Sequence, residues 1–235
     1  MYKTTHTIKI QHRYGHLRGV AAVLLLMLLP VCASAQTGIT SLSSITSDPT
    51  GNYRITADID ASGFTSIASF SGTLEAAIDP ATHMPYRIKN LTAPLFDTLT
   101  GTVKNLVIEG VSINTTDDKN TGAIARTANG SARIYNVGVL GDSVGGTGYT
   151  GGLVGLLDGT ARVINCYSYA KITGGSNVGG IVGYNNYASK ATDIRTMVMN
   201  CMFYGDITGG TNKSPIYGGQ NINNLNSGGL TTFNY

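Results

Sequence analysis

The sequence predicts an all-β fold, a right-handed parallel β-helix (a β-solenoid) preceded by an irregular entry segment. Three mutually phased ladders of short motifs carry that prediction. The first is a β-branched residue, any residue, Asn and an apolar residue, repeated around Asn105, Asn136, Asn165 and Asn200. The second is Gly-Ala-Ile-Ala at 122–125, Gly-Leu-Val-Gly at 152–155 and Gly-Ile-Val-Gly at 180–183. The third is Ile-Thr-Gly-Gly at 172–175 and again at 207–210. A unit that returns about every 30 residues is the signature of a stacked repeat, each coil burying what its neighbour leaves open.

Each ladder position has a physical reading. After Asn165, Cys166, Ser168, Ala170 and Ile172 share one face and Tyr167, Tyr169 and Lys171 the other. Val163 has the parity of Asn165 and not of Cys166, so the chain turns a corner at the Asn. Asn tolerates the left-handed backbone of such a corner, and stacked amides can pair from coil to coil. The Gly-Gly pairs, at 151–152, 174–175, 179–180 and 209–210, are expected to mark further corners, at positive φ, and Gly152, Gly155, Gly180 and Gly183 are the recurring glycines of the second ladder. Strand–crossover–strand units of this kind are right-handed in nearly all proteins.

Gly-Gly-Leu-Val-Gly at 151–155 and Gly-Gly-Ile-Val-Gly at 179–183 resemble the GLUG motif. It recurs in tandem in large secreted and surface proteins of bacteria, including the non-catalytic region of some immunoglobulin A metallopeptidases. The resemblance covers residues 95–235, with two clean copies and two degenerate ones. Residues 51–60, Gly-Asn-Tyr-Arg-Ile-Thr-Ala-Asp-Ile-Asp, are similar to the segment that precedes such repeats in Bacteroidetes-type proteins. The resemblance implies a repeat architecture and no catalytic chemistry.

In order, residues 1–35 read as a cleaved signal peptide. Lys3, Lys9, Arg13 and Arg18 precede an apolar run at 20–29, and Ala33-Ser34-Ala35 is a small-x-small cleavage site. That run is too short for a transmembrane span. Val31 before Cys32 departs from a lipoprotein box. Residues 36–94 read as an entry and capping β segment, with Tyr53, Ile55, Ala57 and Ile59 on one strand face. Residues 95–235 are the repeats. Residues 187–196 are an insertion, and the end at Tyr235, with no evident cap, predicts a fragment of a longer protein with further domains.

The chain carries 16 Lys+Arg against 13 Asp+Glu. The signal holds four of the basic residues, leaving 12 against 13 and a net charge of −1 after cleavage. With no basic patch, a nucleic-acid partner is not expected. His83 is the only histidine beyond residue 35, and no metal site or cofactor is expected. Cys166 and Cys201 share one ladder position, which leaves either buried thiols or a disulfide between coils.

The outward aromatics Tyr167, Tyr169 and Tyr204 are the candidate ligand-binding residues, since flat rings on a rigid sheet suit stacking against sugars. Lys171 and Asp206 fall on neighbouring coils with opposite charge. Asp142-Ser143-Val144 resembles a Bacteroidetes O-glycosylation site, which makes Ser143 a candidate acceptor; Asp97-Thr98-Leu99 has the same form. The functional expectation is a non-catalytic secreted or cell-surface module for structural presentation or contact with glycan or another surface macromolecule, and not an enzyme. A polysaccharide lyase or hydrolase and an inert stalk are the competing classes. The scattered carboxylates Asp58, Asp60, Glu75, Glu109, Asp117 and Asp118 form no recurring pair for the former.

Overall fold

The computed structural model describes residues 35–186 and 196–220. The chain is all-β with parallel sheets. In the main sheet, strands Thr37–Ile39, Asn52–Ile55, Thr73–Ala76, Thr102–Asn114, Arg133–Gly145, Arg162–Ile164 and Met197–Met199 lie side by side in chain order. A second sheet stacks Ile67–Phe70, Phe96–Leu99, Ala125–Ala128, Val154–Leu157, Val182–Asn185 and Tyr217–Gln220, also in chain order. A short third sheet contains Thr150–Gly151, Asn177–Gly179 and Asn212–Ser214. The chain visits the sheets in turn, so each strand lies on the strand one circuit earlier.

The register places the sequence ladders on single rungs. Val103 pairs with Ile134, Ile134 with Val163 and Val163 with Val198, and all four are buried. Across the core, Ile67, Phe96, Ala125, Val154, Val182 and Tyr217 form the matching rung of the second sheet. Phe70 and Phe96 fill the N-terminal part of the core, stacked at 4.7 Å. Burying a side chain of this size contributes about 1.5–3 kcal/mol.

Pairing of this kind already runs through residues 36–94. Ile67 pairs with Phe96 and Leu74 with Val103, so stacking crosses the boundary expected at residue 95. The five-residue helix Ser43–Ser47 packs its one buried residue, Ile45, at that end. The expected insertion at 187–196 lies, apart from Thr196, outside the described residues, as do the signal peptide up to Ser34 and the chain end after Gln220.

The two corner types have different causes. Asn105, Asn136, Asn165 and Asn200 have φ of 51°, 55°, 54° and 51°, left-handed values that Asn accepts at lower cost than most residues. The Asn136 amide donates to Asn105 Oδ1 at 3.0 Å and the Asn200 amide to Asn165 Oδ1 at 2.6 Å. Of the Gly-Gly pairs, Gly209 and Gly210 have φ of 74° and 68°, whereas Gly152 and Gly180, like Gly155 and Gly183, are absent from the positive-φ set. That corrects the expectation for these corners. They are glycine because backbone occupies the space of a side chain: a Cβ on Gly152 would sit 2.3 Å from the Gly180 carbonyl oxygen, and one on Gly183 2.5 Å from the Thr150 nitrogen. The motif is where the short third sheet closes onto the second. Leu153 and Ile181 between the glycines are wholly buried.

Candidate functional site

Strand Tyr167–Gly174 alternates as its sequence demands. Ser168, Ala170 and Ile172 are buried, and Tyr169 and Lys171 face solvent. The rungs join Gly138 to Tyr167 to Met202, and Leu140 to Tyr169. The structure therefore brings Tyr167, Tyr169 and Tyr204 together. Tyr167 meets Tyr169 edge-on at 5.8 Å, and Tyr169 meets Tyr204 at 5.4 Å. Tyr204 is 73% exposed, Met202 40% and Tyr169 39%.

Tyr167 is different, because its ring lies over Gly138, where a Cβ would come within 2.2 Å of the ring. That burial, and then Tyr169, push its hydroxyl pKa above the usual 10, with Arg87 opposing. On the N-terminal side the patch adjoins two ion pairs, Arg87–Glu109 at 2.8 Å and Lys89–Asp58 at 2.7 Å. On its other side Phe203, Tyr204, Gly205, Asp206, Ile207 and Pro215 line a shallow depression of about 600 Å³. Ile172 pairs with Ile207, which aligns Lys171 with Asp206, although no ion pair joins them among the described residues.

The other sequence candidates are dispersed. Cys166 and Cys201 are buried, unbridged thiols. Burial pushes the Cys166 pKa well up, while the hydrogen bond from Cys166 lowers that of Cys201. Ser143 is half-buried where the register shifts beyond Leu140, beside exposed Asp142. Thr98 is half-buried on the outer side of the second sheet, in the same rung as Thr127.

Sequence reasoning missed a clamp on that second sheet. Arg126 Nε donates to Asp97 at 2.9 Å, and its Nη2 lies 2.9 Å from Asp117. Nη1 donates to Asp117 at 3.1 Å and to the Asn120 carbonyl at 3.2 Å. This holds the loop after strand Thr102–Asn114 onto the sheet. The signal was the phase shared by Asp97 and Arg126, one residue after the paired Phe96 and Ala125. Sequence reasoning also missed an open groove of about 740 Å³ between residues 40–49 and residues 59–69, beside the first strand of the second sheet.

Comparison with known proteins defines the class. Residues 146–173 match the GLUG motif, and residues 40–141 match the N-terminal region of the M26 IgA1-specific metallo-endopeptidases. The chain is bacterial and carries a GLUG motif. The immunoglobulin A1 protease of Streptococcus sanguinis is 40% identical over 107 residues, which make up 42% of this chain and 5% of that protein. This chain therefore spans a small part of the length of that relative.

Two solved structures share the fold. One, an IgA1 protease, aligns with a TM-score of 0.57 at 22% identity, over 77% of this chain and 17% of its own. The other, a Bacteroides ovatus protein provisionally described as an immunoglobulin A1 protease, gives 0.58 at 19% identity, over 81% of this chain and 63% of its own.

These matches overturn two expectations. The relatives are named as proteases, so the kinship is with a protease-related module and not with a structural module for glycan contact. The expectation of a protein outside enzymology falls for the same reason. The aromatic row suggested sugar stacking because residue types show a surface without showing its partner.

The metal that the family description implies does not fit the residues seen here. No group of three or more His, Cys, Asp or Glu able to hold a metal ion occurs among the described residues. His83, the only histidine after residue 35, sits in a loop at φ 58°. No proteolytic step is assigned to these side chains. Among the described residues, no helix is long and apolar enough to cross a membrane.

Proposed function

We propose that this chain is a module of an exported bacterial protease acting on immunoglobulin A1, folded as a right-handed parallel β-helix. The observation that carries this reading is the co-linear order of the two family matches, the M26 N-terminal region at 40–141 and then the GLUG motif at 146–173. The 40% identity to a protease named for immunoglobulin A1 supports it. Parallel rungs on three sheets visited in turn support the β-helix, and the crossover rule supports its hand. Export rests on the basic, apolar and small-x-small features of residues 1–35.

In this reading the hydrolytic chemistry belongs to another part of a longer protein, and the rigid stack contributes to engaging the immunoglobulin chain. The exposed Tyr169–Tyr204 surface is the part best suited to that contact, because exposed aromatics on a fixed backbone lose little freedom on binding.

The test uses the producing strain. Its culture supernatant is incubated with immunoglobulin A1, beside supernatant from a strain whose gene lacks the codons for residues 36–220, and fragments are followed by gel electrophoresis. Cleavage by the first and its loss in the second is expected. Absence of cleavage in the wild type, or equal cleavage in both, overturns the proposal.

A further inference from the structure

Among the described residues, Arg54, Arg87 and Arg126 each lie within 4 Å of a carboxylate: Glu75 at 3.8 Å, Glu109 at 2.8 Å and Asp97 at 2.9 Å. Arg133 and Arg162 have no such partner there, and they are neighbours on one rung of the main sheet. Paired rungs lie about 4.8 Å apart. Two like charges at that separation repel, and natural sheets place opposite charges there.

The surroundings fix the pair without neutralising it. Arg133 Nη1 donates to the carbonyl oxygens of Ser131, Ala132 and Thr160 at 2.7, 2.9 and 3.0 Å. Arg162 Nε is shielded from solvent and has no hydrogen-bond partner. Leaving such a donor unpaired is destabilising, and an anion that accepts from it relieves that cost. Burial, and then Arg162, depress the pKa of Arg133, with Tyr135 opposing.

We infer that Arg133 and Arg162 form a binding site for an oxyanion, in which one anion bridges the two guanidinium groups. Planar guanidinium forks suit carboxylate, sulfate and phosphate alike. The source is either a free inorganic anion or an acidic side chain of a protein partner. The site is on the outer face of the main sheet, away from the Arg126 clamp on the second sheet, and does not depend on the protease reading.

The test is thermal unfolding of the exported protein in sodium sulfate and in sodium chloride at equal ionic strength, with a hexaglutamate peptide as a second arm. Sulfate should raise Tm by a few degrees beyond chloride. Arg133→Met and Arg162→Met should each remove that increment, and the Arg133→Met/Arg162→Met protein should melt no lower than wild type in chloride, since repulsion is relieved. A sulfate response points to a free anion; a response to the peptide alone points to a partner's acidic side chain. Equal Tm in sulfate, in chloride and with the peptide, or an undiminished increment in the Met variants, overturns the site.

Discussion

Replacing Gly152 by alanine tests why the repeat needs glycine. The added Cβ would stand 2.3 Å from the Gly180 carbonyl oxygen, 2.4 Å from Ser168 Oγ and 2.8 Å from Ser168 Cβ. Ordinary contact begins near 3.5 Å, so about 1 Å must be found. The Ser168 hydroxyl can rotate. The Gly180 oxygen cannot, because it belongs to the backbone of the next coil. Overpacking of this kind costs about 1–3 kcal/mol, and a backbone obstacle puts it at the upper end. Loss of unfolded-state freedom returns about 0.4–1 kcal/mol, leaving roughly 2 kcal/mol net. For a domain of this size that lowers Tm by about 4–8 °C.

The control is Gly63→Ala, at φ 71° with nothing within 4 Å of its Cβ, where only left-handed strain of about 1 kcal/mol applies. Urea melts followed by circular dichroism compare the two. Losses equal to within 0.5 kcal/mol would refute the close-approach argument. Gly159 combines φ 67° with a Gly130 nitrogen 2.8 Å from the Cβ position; Gly159→Val should cost at least as much as Gly152→Ala.

Asn165→Ala forfeits both a left-handed preference and the bond from Asn200, and should destabilise by about 1–2 kcal/mol in the same melts, with Asn165→Gly recovering part of the loss. Stability should fall as pH drops below about 4, because the Lys89 hydrogen bond and then the Arg87 N–H hold the Asp58 carboxyl below its ordinary pKa. That contribution is present above the unfolded value and disappears as the folded carboxyl protonates; acid titration of Lys89→Met should show a shallower decline. Cys166 and Cys201 should resist a thiol reagent in the folded protein and react as two free thiols in urea, and a single mass two units lower without reactive thiols would contradict the unbridged pair. Tyr204→Ser should leave Tm within a degree or two, because the ring is largely solvated, yet slow immunoglobulin cleavage by the secreted protein if the aromatic surface engages the substrate.

The rungs from Val103 to Val198 were legible because each coil repeats the same residue types at nearly the same spacing. The N-terminal stack was not. Ile39 pairs with Ile55, Tyr53 with Leu74 and Leu74 with Val103, so coil length changes at each step and no period emerges. Asn105, Asn136, Asn165 and Asn200 announced their corners through backbone chemistry. Gly152 and Gly180 announced only that a side chain is excluded, and sequence does not separate a positive φ from an occupied space. The Tyr167–Tyr169–Tyr204 surface followed from strand parity. Its partner did not, since the protease kinship lies in the pattern of residues 40–141 and not in any one reactive group.

The coil that holds the Asn165–Asn200 pair is longer than the one before it. Val154 is matched by Val182, 28 residues on, whereas Val182 is matched by Tyr217, 35 residues on. The extra length leaves pairing intact on both sides, from Val163 to Val198 and from Val182 to Tyr217. Length and phase are thus inherited separately in this molecule. Relatives can lengthen a corner without disturbing any rung, and alignments that assume a constant period will lose their place at this coil while the strands themselves keep it. The same separation makes the stretch of sequence between Asn185 and Met197 a place to graft a foreign peptide, since the rungs on either side of it keep their register.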